Sequence, residues 1–372
     1  MATSSDLHFP IRLKEAILSE LSGSAAEMLL GLTLNDGWRV VERIERRPGA
    51  TGGSFSVGYR VEHPDGRRGF CKALDYSKAL SAPDTPAAMR TATEEYIFER
   101  DLHHKCEDLR MSRVVVALAD GIIFVADSPI PRVDYIILEY AAYDIRQELD
   151  QDADLEAILR LRSLHHVAVA LRQLHQHKIA HQDVKPSNIL VFINQDKDRS
   201  SKVGDLGRAT DASRPALHDV ADIVGDRNYA PPEQLYRATP TEFGPRRLAC
   251  DLYQLGSLAT FMFTTASMNS LLSLELSPGH TWFNWTGTYE EVLPYVRDAF
   301  GKALEKLRSM TPPSIADDIT ALVSYLCDPD PALRGYPENR RLGHNPYGLQ
   351  RVVTKLDLLA RRVALTKSVV PV

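Results

Sequence analysis

The stretch "HQDVKPSNILVF", His181 to Phe192, constrains this chain more than any other part of it. An acid, a lysine and an amide stand at Asp183, Lys185 and Asn188, and the chain then turns apolar as a strand does. Upstream, Leu161, Leu164, Ala168, Leu171 and His175 recur at intervals of three and four, which predicts one buried helical face. Downstream, "NILVFINQDKDRSSKVGDL" reads as a short hairpin that ends at Asp205-Leu206-Gly207. A polar loop set between a buried helix and a hairpin needs a sizeable core around it. A chain of 372 residues is long enough to build one.

These residue types suit phosphoryl transfer. Asp183 and Asp205, with Asn188 between them, offer hard oxygen ligands for Mg²⁺, an ion that keeps several waters and binds few protein groups. The second acid can take or orient a hydroxyl proton. Lys185 can neutralise charge on the transferring phosphoryl group. In this chemistry, positioning and electrostatic stabilisation carry nearly all of the catalysis. Alone, Asp183 would read as a turn residue or a cap. Its spacing to Lys185 and Asn188 sets that reading aside. Lys72, among apolar neighbours, would alone read as a strand lysine that snorkels to water.

The rest of the chain divides into a β-rich part and a larger α-rich part. "WRVVERIE" and "FSVGYRVE" flank a glycine-bearing loop, and "HPDGRRG" is a turn before "FCKAL", so a three-strand meander is predicted from Trp38. "SAPDTPAAM" reads as loop, with a helix near 91–106 after it. Two strands follow around "VVVAL" and "YIILEY", with a "DG" turn and a "PIP" loop between them. Helical character begins after Tyr140. "ACDLYQLGSLATFMF" is apolar nearly all round, as a helix inside a core should be. The tail repeats apolar residues at Leu349, Val352, Val353, Leu356 and Ala360, another amphipathic helix. Residues 11–31 read as a helical lead-in.

Composition excludes several classes. Charged residues make up 25% and hydrophobic ones 44%, with a net charge of −5, which argues against a general nucleic-acid binder. No apolar run approaches the length that spans a bilayer, and the first residues lack the apolar core of a secretory signal. Cys71, Cys106, Cys250 and Cys327 are scattered and form no metal-binding pair, as in reduced cytosolic proteins. A cytoplasmic location is expected.

"HQDVKPSN", "DLG" and "YAPPE", in this order and downstream of a β meander, resemble the motif set of the eukaryotic-type protein kinases, over roughly residues 38–340. Gln182 stands where the family usually has arginine, Leu206 where it has phenylalanine, and Pro231-Pro232-Glu233 where it has A-P-E. The resemblance implies an α+β fold of two lobes, a small β-rich N-lobe and a larger α-helical C-lobe. It implies an N-terminal helical extension over 1–37, an N-lobe over 38–138, a C-lobe over 139–340 and a helix over 341–372 packed on the C-lobe.

The same resemblance implies roles. Asp183, Lys185 and Asn188 are catalytic, and Asn188 and Asp205 hold Mg²⁺. Lys72 contacts the phosphates of ATP, with Glu99 as its partner and Glu95, one turn earlier, as the alternative. In "ATGGSFSVGY", Gly53, Ser54, Phe55 and Ser56 form a degenerate glycine-rich loop, with Thr51 replacing the first glycine and Gly58 standing where a valine usually packs on adenine. Leu138 is the gatekeeper, Glu139 and Ala141 bond adenine through their backbone, and Asp144 lies near the ribose. Asp251 ties down the catalytic loop, and Arg334 pairs with Glu233. Asp226 stands where serine/threonine kinases usually carry threonine, and it could pair with Lys185. The implied activity is transfer of the ATP γ-phosphate to a protein hydroxyl, with Ser/Thr favoured by "DVKPSN". The alternatives are a small-molecule kinase of the aminoglycoside or choline type, which ordinarily lacks the A-P-E segment and its arginine, and a pseudokinase acting as a nucleotide-binding scaffold. The implied partner is a protein substrate, with no nucleic acid and no membrane. The oligomeric state is open.

Overall fold

β-Branched and aromatic residues at alternate positions build a five-stranded antiparallel sheet. Its strands are β1 (Arg39–Ile44), β2 (Ser56–Glu62), β3 (Arg68–Leu74), β4 (Ala117–Phe124) and β5 (Arg132–Glu139), in the order β1-β2-β3-β5-β4. The structure, a computed structural model, describes residues 24–45, 56–80, 82–126, 128, 130–152 and 155–369. In β2, Val57, Tyr59 and Val61 point into the core while the residues between them stay partly exposed. Leu29, Trp38, Tyr59, Cys71, Val133 and Ile137 belong to the core of this part. Each large apolar side chain buried there contributes about 1.5–3 kcal/mol. Gly66, at φ +89°, closes the turn between β2 and β3, a conformation that favours glycine.

Two sequence expectations change here, and a third falls largely outside the described residues. Asp120-Gly121, expected as a turn, lies inside β4, where Gly121 pairs with Tyr135. A Cβ at Gly121 would stand 2.6 Å from the Tyr135 hydroxyl, so this glycine serves a close approach and not a turn. The helix expected near 91–106 begins earlier, as Thr85–Asp108, inside the stretch expected to be loop. The Asp84 carboxylate accepts the Ala87 N–H at 3.0 Å and caps it, and Pro86 sits in the first turn, where its missing N–H has no cost. The helical lead-in over 11–31 falls largely outside the described residues; its described end holds a single 3₁₀ turn, Ala25–Glu27.

The chain divides into two units. The first runs to Arg100 and takes in Ala117–Tyr140; the second comprises Asp101–Val116 and the chain from Ala141 onward. The second unit is organised on the helix Ala249–Thr264, which is buried along almost its whole length. The helices Ala157–Gln176, Tyr289–Met310 and Ala316–Leu326 belong to this unit. The tail helix Gln350–Val369 packs on Ala157–Gln176, with Val352, Leu356 and Ala360 buried, and Lys355 and Arg362 both bond Asp318. Short strands frame the central loop. β6 (Tyr143–Asp144), β8 (Ile189–Ile193) and β9 (Arg199–Val203) form one antiparallel sheet, and β7 (Ile179–Ala180) pairs with β10 (Thr210–Asp211). All four cysteines are buried and free. Among the described residues, no helix is long and apolar enough to cross a membrane.

Candidate active site

The loop between β7 and β8 is pinned from below by one carboxylate. Asp251, in the first turn of the buried helix, accepts the backbone N–H of His181 on Oδ2 and that of Gln182 on Oδ1, both at 2.8 Å. His175 Nε2 lies 2.8 Å from the same Oδ2. One turn along that helix, Gln254 accepts the Val184 N–H at 2.9 Å and donates to the Gln182 carbonyl at 2.8 Å. These bonds hold Gln182 at φ +64°, a left-handed conformation that is costly for a non-glycine residue. The His181 Nδ1 accepts the Asp183 N–H at 3.2 Å, so Nε2 carries the proton and donates to the Gly204 carbonyl at 2.9 Å.

On this base the chemistry-bearing residues converge. Asp183 Oδ2 lies 2.9 Å from Lys185 Nζ and accepts from Asn188 Nδ2 at 3.0 Å. Its Oδ1 accepts the backbone N–H of Asp226 at 2.8 Å. Asn188 Nδ2 also donates to the Asp183 carbonyl at 2.8 Å. Lys185 Nζ stands 3.6 Å from Asp226 Oδ2, so the pairing expected for Asp226 is present as a second, longer contact. All of these side chains are nearly sealed from water. Burial raises the Asp183 pKa above the ordinary carboxylate range; Lys185 opposes the rise and the charge of Asp205 adds to it. Asp205 takes a left-handed backbone at φ 58° and begins the turn Leu206–Arg208.

Gly225 makes this approach feasible. A Cβ there would stand 2.1 Å from the Gln182 carbonyl oxygen and 2.9 Å from Asp183 Oδ1. Sequence reasoning passed over Gly225 and Gln254. The spacing of Gln254 from Asp251, three residues on one helix face, was the only signal for it.

In the first unit, Lys72 Nζ lies 2.7 and 2.8 Å from the two carboxylate oxygens of Glu99. Glu99, the nearer of the two expected partners to the helix end, is thus the one that Lys72 meets. Ser56 opens β2 opposite Leu74, and Glu139 ends β5 opposite Gly69. In the second unit, Ala141 precedes β6, and Asp144 caps the helix Ile145–Gln151 by accepting the Gln147 N–H at 2.8 Å. Gly53, Ser54 and Phe55 lie outside the described residues. Elsewhere in the second unit, Arg334 pairs with Glu233 through two bonds of 2.8 Å, both side chains fully buried.

A model of the protein kinase domain matches residues 52–339, well over half of the chain. The chain belongs to the protein kinase family. Similar proteins include the serine/threonine-protein kinase DCLK1 of Rattus norvegicus, 39% identical over 70 residues, which is 19% of this chain and 15% of that protein. The cell division control protein 2 homolog 3 of Trypanosoma brucei brucei is 24% identical over 260 residues, 66% of this chain and 74% of that protein. The serine/threonine-protein kinase PrkC of Bacillus subtilis (strain 168) is 28% identical over 123 residues, 33% of this chain and 17% of that protein. The match thus spans less than a fifth of the length of DCLK1 and PrkC. The matched range contains both the loop His181–Asn188 and the segment from Asp205 to Glu233, which the motif resemblance equates with the family's catalytic loop and activation segment.

Proposed function

We propose that this kinase domain is an ATP-dependent protein kinase that transfers the γ-phosphate to a serine or threonine hydroxyl. The observation that carries this is the buried convergence of Lys185, Asn188 and the Asp226 N–H on the Asp183 carboxylate. A carboxylate offers about four acceptor positions. Three groups occupy Asp183, which leaves room for one further donor, the acceptor hydroxyl. Asp183 then orients that hydroxyl and takes its proton. Lys185, held by the same carboxylate, places positive charge where the transferred phosphoryl group develops negative charge.

The residues present suit a nucleotide with Mg²⁺. Both bonds of Asn188 to Asp183 use Nδ2, so its Oδ1 is the atom left to face a cation. Asp205 would supply the second oxygen ligand, and a bound Mg²⁺ would screen the phosphate charge there. Lys72, steadied by Glu99, would hold the phosphates. Gly53, Ser54, Phe55 and Ser56 would cover them, Glu139 and Ala141 would bond the base, and Asp144 would face the ribose. The buried Glu233–Arg334 pair favours a protein acceptor over an aminoglycoside or choline, whose kinases ordinarily lack this element.

The test is γ-phosphate transfer from labelled ATP, scored on generic proteins and, in parallel, on an aminoglycoside and on choline, with Asp183→Asn as control. Label in protein that disappears in the variant supports the proposal. Label only in a small molecule, or none in any acceptor, overturns it.

A further inference from the structure

Gln182 is neutral where the family usually carries arginine, yet it is surrounded by a guanidinium from elsewhere. Its amide Nε2 donates to the Arg247 carbonyl at 2.8 Å and to Asp251 Oδ1 at 3.2 Å, and its Oε1 accepts from Arg247 Nη1 at 3.3 Å. The side chain is buried and fully used, so it cannot reach toward an added phosphate.

The other arm of Arg247 faces the activation segment. Its Nη2 donates to the Asp219 carbonyl at 2.6 Å and stands 3.6 Å from Asp219 Oδ1. Arg246 Nη2 donates to the carbonyls of Asp219 at 3.0 Å and Ala221 at 3.2 Å. Two of these bonds therefore fall on the short turn Leu217–Val220 and the third on Ala221, the residue that ends it. That turn is shaped by Asp219 itself, whose Oδ2 accepts the Ala216 N–H at 2.7 Å. A hydrogen bond of 2.8 Å between His218 Nε2 and the Ala209 carbonyl ties it back to the start of the segment. The arginine bonds are charge-assisted hydrogen bonds, the same kind as the arginine–phosphate bonds that order such segments elsewhere.

The segment's own hydroxyls do not suit a phosphate switch. Thr210 is 1% exposed within the β7–β10 ladder, and Tyr229 is 3% exposed. Ser213 is exposed, but its Oγ donates to Asp211 Oδ1 at 2.6 Å, so a phosphate there would crowd a carboxylate.

We propose that Arg247, with Arg246 beside it, is a positioning residue that holds the activation segment in working shape permanently, by bonding the Asp219 and Ala221 carbonyls, so that no phosphate is needed. This rests on the kinase reading above and names its mode of control. The cation that an arginine at 182 would supply is moved to 247 and directed at backbone instead of phosphate. An arginine introduced at 182 would meet the Arg247 guanidinium in a buried site. It would not install phosphate dependence.

The experiment follows amide hydrogen exchange of Asp219 and Ala221, which donate to the Ala216 and His218 carbonyls at 3.0 and 3.1 Å. The full chain is treated with phosphatase and compared with Arg247→Gln and Arg246→Gln, with melting temperature and kinetics measured on each. Arg246→Gln leaves the Gln182 contact intact, so it carries the test if Arg247→Gln does not fold. The expected result is protection in the dephosphorylated wild type and a roughly tenfold faster exchange of both amides in Arg246→Gln, about 1.4 kcal/mol. The KM for protein substrate should rise while the KM for ATP and the melting temperature hold. Unchanged exchange in the folded variants overturns the proposal, as does a tenfold loss of protection on phosphatase treatment alone. Loosened variants together with a wild type that phosphorylates no protein would uphold the tether and refute the kinase reading.

Discussion

Lys72 and Glu99, 27 residues apart in the chain, meet in a two-pronged ion pair, with Nζ 2.7 Å and 2.8 Å from the two carboxylate oxygens. The pair fixes where the lysine charge sits relative to its strand, and the proposed phosphate contact depends on that placement. Lys72→Met should lower kcat/KM by about 100-fold or more, ~2.7 kcal/mol of transition-state stabilisation. Glu95→Gln should change it little. Steady-state kinetics on both variants decide the register: a comparable loss in Glu95→Gln would move the partner assignment one turn.

Asp183 has a pKa raised by burial, with Asp205 adding to the rise and Lys185 opposing it. The base role proposed for Asp183 requires it ionised, so the acid limb of the kcat/KM profile should lie above that of an ordinary aspartate at ~3.9. Lys185→Met removes the opposing charge and should push that limb higher still. A limb that stays put or moves down would contradict the electrostatic account.

The same shift bears on stability. The folded state prefers protonated Asp183, so its contribution is favourable below the unfolded pKa, ~3.9, and is lost as pH rises through the raised folded value. At neutral pH the ionised group is therefore a net cost to the fold. Asp183→Asn should melt no lower than wild type at pH 7 while its turnover falls by orders of magnitude. Thermal scans at several pH values test this, and a lower melting temperature at pH 7 would count against it.

Glu233 and Arg334 are both sealed from water, so removing either leaves a buried charge without its partner. Arg334→Ala should cost about 3–5 kcal/mol in urea unfolding. Arg334→Lys should recover only part of this, because an ammonium cannot reproduce the two parallel bonds. Full recovery by lysine would mean that charge alone suffices.

Activity should not depend on phosphorylation of the activation segment. A phosphatase-treated sample and a Thr210→Ala/Ser213→Ala double variant should turn over at rates close to the untreated wild type. A tenfold or greater loss in both, about 1.4 kcal/mol, would refute this.

The grouping of Asp183, Lys185 and Asn188 was legible from spacing, and the roles expected of the site came from the resemblance to the kinase motif set. Asp183, Lys185 and Asn188 sit within one short loop, so their convergence needs only a local turn, and sequence order captured it. The strands around Lys72 were legible because alternation at period two marks a half-buried sheet, while the expected role of Lys72 came only from the resemblance to the kinase motif set. The buried helix Ala249–Thr264 was legible because it is apolar on every side.

Other features depended on contacts between distant parts of the chain. "DG" at 120–121 has the composition of a turn, and only the Tyr135 ring packed against Gly121 shows why the glycine stands inside a strand. The choice between Glu95 and Glu99 turned on one helical turn of register, which periodicity does not resolve. Gly225 carries no motif, and its need appears only where its backbone meets the Gln182 carbonyl. The sequence by itself determined which residues have the chemistry for phosphoryl transfer, since residue type and short spacing are local properties. Tertiary structure alone decided how the charge missing at Gln182 is supplied, because Arg247 is 65 residues away and reaches the loop only when the chain packs around the buried helix.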